Sequence, residues 1–176
     1  MRIIAGKHKG RILAEFKGKE IRPTADRAKE AIFNILQGRI VGCNFLDLFS
    51  GTGSVGIEAL SRGAKSVTLV DISKDSLAVT FENLKKIGEN AKVVLSDAKS
   101  FVKTAQDAFD IIFLDPPYKF DATEIIEEIG NGEILKKDGL LIHEHDETFM
   151  SDVQSLELFD ARRYGIAIFD FYKRKV

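Results

Sequence analysis

The residues with the clearest chemical content are Asp115-Pro116-Pro117-Tyr118, which end the apolar run Phe109-Asp110-Ile111-Ile112-Phe113-Leu114. Each proline fixes φ and lacks an N–H, so the loop is stiff and its carbonyls stay available as acceptors. An exocyclic amino group of guanine, adenine or cytosine is a poor nucleophile, because its lone pair is delocalised into the ring. The Asp115 carboxylate and the Pro116 carbonyl can each accept one of its hydrogens, which localises the lone pair and aims it. Tyr118 can stack on the base plane. The nitrogen would then displace a methyl group in line from a cationic sulfonium and lose its proton afterwards. Asp115, Pro116 and Tyr118 are therefore the candidate catalytic residues, with Pro117 against the substrate. The bland alternative is a rigid turn with a packed tyrosine.

A second constellation would supply the methyl donor. Phe45-Leu46-Asp47-Leu48 runs into Phe49-Ser50-Gly51-Thr52-Gly53-Ser54-Val55-Gly56 and then a helical pattern. Glycines let the backbone turn and approach a ligand, and a helix N-terminus offers unpaired N–H groups. A nucleotide-like cofactor is expected here. The spacing Gly51-x-Gly53-x-x-Gly56 would also suit a dinucleotide. Asp71, twenty residues after Gly51, can accept hydrogen bonds from ribose hydroxyls of either cofactor type. Asp97 can accept from an adenine amino group or serve as a helix N-cap, and Ser73 can cap the helix after Asp71.

These residues need a scaffold that brings them together. Short apolar strands, Phe45 to Leu48, Ser66 to Val70, Lys92 to Leu95, Asp110 to Leu114 and Leu140 to His143, alternate with amphipathic helices. The helices fit at Val55 to Arg62, Lys74 to Ile87, Ala98 to Ala105 and Ala122 to Ile129. That pattern predicts an α/β fold with a parallel sheet covered on both faces. Leu156 to Arg163 and Ile166 to Tyr172 flank a tight Tyr164-Gly165 turn, which predicts a closing antiparallel hairpin. With strand order 3-2-1-4-5, ligands bind between strands 1 and 4, where the glycine loop and Asp115 both lie.

At the N-terminus, Arg2 to Gly6 and Arg11 to Phe16 flank Lys7-His8-Lys9-Gly10, which reads as a β-hairpin with a basic tip. Thr24 or Asp26 can cap a following helix carrying Ala28, Ala31, Ile32, Ile35 and Leu36, and Gly38 can end it. The domain reading is a basic extension over residues 1–22 and a catalytic domain over 23–176. Residues 1–29 hold nine Lys/Arg against three Asp/Glu, and the remainder holds 17 against 24. Such an arm suits a phosphate backbone, whose neutralisation releases counterions, although a basic solvated face is equally consistent with charge alone. Lys7, Lys9, Arg11, Arg22, Thr24 and Arg27 are the candidate substrate-binding residues of this region.

The 176 residues and 44% hydrophobic content fit one domain with a single large core. No signal-peptide or bilayer-length apolar run is present, so a soluble cytoplasmic protein is expected. Cys43 lacks any cysteine partner and reads as packing. His143 and His145 share one strand face, yet without a third ligand they read as ordinary surface, and no metal is expected.

Taken together, the chain resembles the class I, Rossmann-like methyltransferases, and among them it is similar to the bacterial small-subunit (16S) ribosomal RNA guanine-N2 methyltransferase family. The resemblance rests on Arg2-Ile3-Ile4-Ala5-Gly6 with Lys9-Gly10-Arg11, Arg22-Pro23-Thr24 with Arg27, Glu30, Phe33 and Asn34, Leu46-Asp47-Leu48-Phe49-Ser50-Gly51-Thr52-Gly53, and Asp115-Pro116-Pro117-Tyr118. It implies S-adenosylmethionine as cofactor, with Asp47, Ser50, Gly51, Thr52 and Gly53 at its methionine end and Asp71, Ile72, Asp97 and Ala98 near its adenosine. It also implies a guanine of ribosomal RNA, within a small subunit or assembly intermediate, as substrate; apart from the resemblance, a monomer with no membrane partner is expected. Phe49 stands where many class I enzymes carry glycine. Lys29 stands where relatives often carry arginine, which would remove a bidentate phosphate contact.

Four other readings share some of these features. A nicotinamide-dependent oxidoreductase shares the glycine loop and Asp71 but has no use for the Pro-Pro loop. A DNA or other RNA adenine-N6 or cytosine-N4 methyltransferase, or a protein glutamine methyltransferase, uses a similar tetrapeptide. A ribosome-assembly factor with a degenerate site would not need the acidic and glycine positions.

Overall fold

The computed structural model describes residues 1–15, 23–149 and 153–175, with the first three residues of the first helix described by backbone alone. That helix, α1 (Pro23–Ile35), has proline in its first position, where a missing N–H costs nothing and φ is already helical. Thr24 and Asp26 are consequently inside the helix rather than capping it, and Asp26 sits in the first turn where the helix dipole favours a carboxylate. Gly38 does not end α1 either. It lies within a short second helix, α2 (Gln37–Ile40), because buried Leu36 and Ile40 anchor that turn to the core and outweigh the glycine.

The chain then alternates. Strands β1 (Asn44–Leu48), β2 (Ser66–Asp71), β3 (Lys92–Leu95) and β4 (Phe109–Leu114) are separated by helices α3 (Ser54–Ser61), α4 (Lys74–Ile87) and α5 (Ala98–Thr104). Helix α6 (Thr123–Asn131) leads into β5 (Leu135–His145), and β6 (Leu156–Tyr164) and β7 (Ala167–Arg174) close the fold. All seven strands form one sheet in the order β3-β2-β1-β4-β5-β7-β6, parallel through β5 and antiparallel at β7 and β6. This is the expected mostly parallel, Rossmann-like sheet with a C-terminal antiparallel hairpin. The hairpin turn falls at Gly165-Ile166, since Tyr164 pairs with Ala167. Strand β5 starts earlier than its apolar run because Phe109 pairs with Leu135, and the polar stretch Lys136 to Gly139 is accommodated by a register shift before Ile111 pairs with Leu140.

Side-chain alternation divides the core between the two faces. Leu46, Leu48, Ile112, Leu114 and Leu141 pack against α5 and α6 on one face. Phe45, Leu69, Ile111, Phe113 and Ile142 pack against Ile32, Phe33 and Leu36 of α1 and its continuation on the other. Two residues beyond Phe45, Phe113 and Ile142, the same parity places Asp47, Asp115 and Glu144 on the α1 side.

The N-terminal arm is a hairpin-like antiparallel pairing, with Ile3 N donating to Arg11 O at 2.9 Å and Leu13 N to Met1 O at 3.0 Å. Met1, Ile3 and Leu13 pack with Ile57, Leu84 and Ile87. Gly6 makes the approach possible, because a Cβ there would lie 1.8 Å from the Ser61 carbonyl oxygen. Phe16 and Arg22 lie outside the described residues, as does the Thr24 side chain. Among the described residues no helix is long and apolar enough to cross a membrane.

Candidate active site

The glycine loop leaves β1 through Phe49, which has φ +59°, a backbone conformation costly for any side chain but glycine. That is the physical reason a glycine is common at this place. Here the Phe49 ring is retained and meets the Phe120 ring edge-on, with centroids 5.4 Å apart, tying the glycine loop to the loop after β4. Gly53 caps α3, and Gly56 sits on the sheet so closely that a Cβ would fall 2.8 Å from Leu69 Cδ2 and 3.2 Å from Asp47 Oδ2.

Buried Asp47 accepts from Gly56 N at 2.8 Å and so fixes the start of α3. Burial, aided by the charges of Asp115 and Asp71 and opposed by the Gly56 bond, pushes its pKa up to about 8. Asp71 ends β2 and accepts from Gly51 N and Ser73 N, both at 2.8 Å. It thereby shapes the loop, and its oxygens keep lone pairs for ribose hydroxyls. Ser73 caps α4, accepting from Ser76 N, and Asp97 caps α5, accepting from Ser100 N at 2.9 Å. Exposed Asp97 and Ile72, with buried Ala98, flank the carboxyl ends of β2 and β3.

S-adenosylmethionine fits this donor set. The buried Ser50 hydroxyl finds no partner among the described residues, which is the signature of a group kept for a ligand. Asp71 at the end of β2 and Ser50 to Gly53 offer carboxylate, hydroxyl and backbone groups beside the α3 N-terminus. Helix α4 supports the loop from below. Thr80 Oγ1 donates to Gly51 O at 3.0 Å, and Asn83 Nδ2 donates to Thr52 O at 3.1 Å.

The second loop lies next door. Asp115 N donates to Leu48 O at 3.3 Å, so Asp115 starts where β1 ends. Pro116 is buried, Pro117 is exposed and Tyr118 is 46% exposed. Asp115 and Tyr118 line a cavity of about 510 Å³ with Phe33, Phe113, Tyr164 and Phe169, in the usual size range of ligand sites. Tyr118 also borders a cleft of about 360 Å³ that runs along Pro116 to Asp121.

Glu144 lines both cavities and was absent from the expected site. The expectation considered only its histidine neighbours, whereas strand alternation separates the three. Burial and the Asp115 charge raise the Glu144 pKa well above the carboxylate range. His143 and His145 point to the other face and are buried, stacked at 4.9 Å and flanked by Phe149, so the reading as ordinary surface is wrong. They fill the core beneath β5. Burial and the neighbouring His145 bring the His143 pKa down to about 3. Among the described residues no group of three His, Cys, Asp or Glu is arranged to hold a metal. Cys43 is buried, and burial raises its thiol pKa to about 11.

The basic arm is less free than its composition suggests. Lys7 Nζ and His8 Nε2 reach Glu89 at 2.9 and 2.7 Å, and Arg11 donates to Lys86 O. Lys9 and Arg27 are exposed. Lys29 is buried, bonds Arg2 O and Ser54 Oγ at 3.1 Å and lies 3.6 Å from Glu58. It is an interior residue, so its difference from arginine does not bear on phosphate contact. Fully buried Glu58, also unforeseen, accepts from Ile4 N, Ala5 N and Arg62 Nε and pins the arm to α3.

Residues 1–173 match the family described as conserved hypothetical protein 95. The ribosomal RNA small subunit methyltransferase D of Haemophilus influenzae is 40% identical over 147 residues, covering 80% of this chain and 76% of that protein. Bacillus subtilis YlbH is 36% identical over 183 residues, covering 99% and 100%. The solved structure of Escherichia coli yhhF superposes with a TM-score of 0.89 at 33% identity, covering 99% of this chain and 98% of that one. Sequence and fold agree, and the chain belongs to the conserved hypothetical protein 95 family.

Proposed function

We propose that this protein transfers a methyl group from S-adenosylmethionine to the exocyclic N2 amino group of a guanine in small-subunit ribosomal RNA. The observation that carries the reading is the placement of Asp115-Pro116-Pro117-Tyr118 beside the Ser50 to Gly53 loop, where neighbouring strands β1 and β4 end. Ribosomal RNA as the substrate class draws support from relatives named ribosomal RNA small subunit methyltransferase D.

In this reading Asp115 and the Pro116 carbonyl accept the two amino hydrogens, and exposed Tyr118 stacks on the base with Pro117 against its edge. Preorganised acceptors contribute because they need not reorient as charge develops. The cofactor supplies an electrophilic methyl group on a sulfonium, and it is held by Asp47, Ser50, Gly51, Thr52 and Gly53 at one end and Asp71, Ile72, Asp97 and Ala98 at the other. The nitrogen becomes cationic on methyl transfer and then releases a proton to solvent past Asp115. Lys9 and Arg27 of the described surface, with Arg22 and Thr24 beyond it, hold RNA phosphates, while Lys7 and Arg11 do so only by sharing or leaving their present partners. Residues 1–22 act as the RNA-docking extension of a monomeric, cytoplasmic catalytic domain spanning 23–176.

The test incubates the protein and methyl-labelled S-adenosylmethionine with small-subunit particles, free ribosomal RNA and DNA in parallel. Label in ribosomal RNA, free or within the particle, supports the reading; label in DNA alone overturns it.

A further inference from the structure

Strand register places a second carboxyl group beside Asp115. Phe113 pairs with Ile142 and Leu114 with His143 across β4 and β5, so the next positions, Asp115 and Glu144, are neighbours on the same face. Both line the 510 Å³ cavity, whose remaining walls are largely apolar, with Lys29 and Ser54 as the other charged and hydroxyl-bearing residues outside its tyrosines. The Glu144 carboxyl makes no hydrogen bond among the described residues. Two carboxyl groups side by side in an apolar slot are costly unless one is neutral or a ligand serves them.

We infer that Glu144 is the base-discriminating residue of this site, reading the O6 and N1–H edge of the guanine whose N2 amino group Asp115 holds. The inference rests on the guanine reading proposed above. A neutral carboxyl group presents one donor and one acceptor side by side. Guanine presents the complement, O6 as acceptor and N1–H as donor, directly adjacent to its N2 amino group. Glu144 therefore donates its O–H to O6 and accepts N1–H, while Asp115 accepts from N2. Adenine and cytosine, with their amino groups in the same place, offer only a ring-nitrogen acceptor next door. They would leave the Glu144 carbonyl unmatched in a half-buried slot, and unmatched polar groups are what make such sites selective.

The groups facing Glu144 support its neutral form. Asp115, one residue past β4, disfavours a second anion, and Lys119, Asp121 and Asp146 line the second cleft that Glu144 borders. Tyr118, Tyr164 and Lys29 line the same cavity, with the Lys29 ammonium turned to Arg2 O, Ser54 and Glu58. On its own strand His145 faces the opposite side, beside Asp170.

The test compares wild type, Glu144→Gln and Glu144→Ala on small-subunit particles, reading methylated nucleoside, kcat and KM across pH, together with cofactor affinity and Tm. Glutamine keeps a donor and an acceptor, so Glu144→Gln retains activity within about fivefold, and it loses the decline at alkaline pH that wild type shows as Glu144 ionises. Glu144→Ala lowers kcat/KM by roughly 10- to 100-fold, the range expected for one bidentate base contact, with cofactor affinity and Tm unchanged. An unaffected alanine variant, a glutamine variant as impaired as alanine, an alkaline decline persisting in Glu144→Gln, or loss of cofactor binding overturns the assignment. Wild type that produces N6-methyladenosine or N4-methylcytidine overturns the guanine reading itself, whereas wild type that produces N2-methylguanosine alongside a fully active Glu144→Ala overturns this inference alone.

Discussion

The Asn83 side chain donates to the Thr52 carbonyl at 3.1 Å while also holding Ala14, accepting from its N at 2.7 Å and donating to its O at 3.1 Å. One fully buried amide on α4 thus joins the N-terminal arm to the loop expected to hold the cofactor. Asn83→Ala leaves part-buried backbone groups without partners, each costing up to roughly 1–3 kcal/mol. Thermal unfolding is expected to shift accordingly, and calorimetry is expected to show cofactor affinity weakened by about tenfold. A variant with reduced Tm and unchanged cofactor affinity would show that the arm and the loop are not coupled.

Glu58 carries the larger structural load. Removing it strands buried Lys29 and Arg62 and frees two arm N–H groups. Breaking a buried ion pair from one side costs about 3–5 kcal/mol. Denaturant unfolding of Glu58→Ala is expected to report a loss of that size, with arm amides exchanging fastest. Unchanged arm protection would contradict this.

Asp47 sets a pH dependence. Above about pH 4 the unfolded chain holds no proton on this carboxyl, whereas the folded protein keeps it until about pH 8. The stability it contributes is complete below pH 4 and is lost as pH rises through 8. In the absence of cofactor, Asp47→Asn is expected to flatten the fall of Tm between pH 4 and 8, because asparagine still accepts from Gly56 N and never ionises. An unaltered slope would place the titration elsewhere.

Asp115→Ala is expected to abolish methyl transfer while cofactor affinity stays nearly intact, since Asp115 lines the aromatic cavity rather than the Ser50 to Gly53 loop. Calorimetry showing that cofactor binding is lost would overturn this division of roles.

The two motif loops were legible because their residues constrain the backbone directly: prolines stiffen one, and glycines admit the turn and the close approach of the other. The parallel α/β layout was legible because continuous apolar runs alternate with amphipathic helices. What escaped depends on partners distant in sequence. Nothing local distinguishes Glu144 from a surface residue, since its role comes from register with Asp115 just past β4. Glu58 reads as an ordinary helical carboxylate until the arm folds onto it 53 or more residues away. His143 and His145 looked solvated because histidine is polar, while Phe149 and the strand face bury them. The basic arm looked free because composition counts charges without counting Glu89 opposite Lys7 and His8.

The most direct test of the central claim is the identity of the methylated nucleoside. Small-subunit ribosomal RNA labelled by the wild-type protein would be digested to nucleosides and resolved by mass spectrometry. The account predicts N2-methylguanosine, absent when Asp115→Ala is used. Label in N6-methyladenosine or N4-methylcytidine would contradict it.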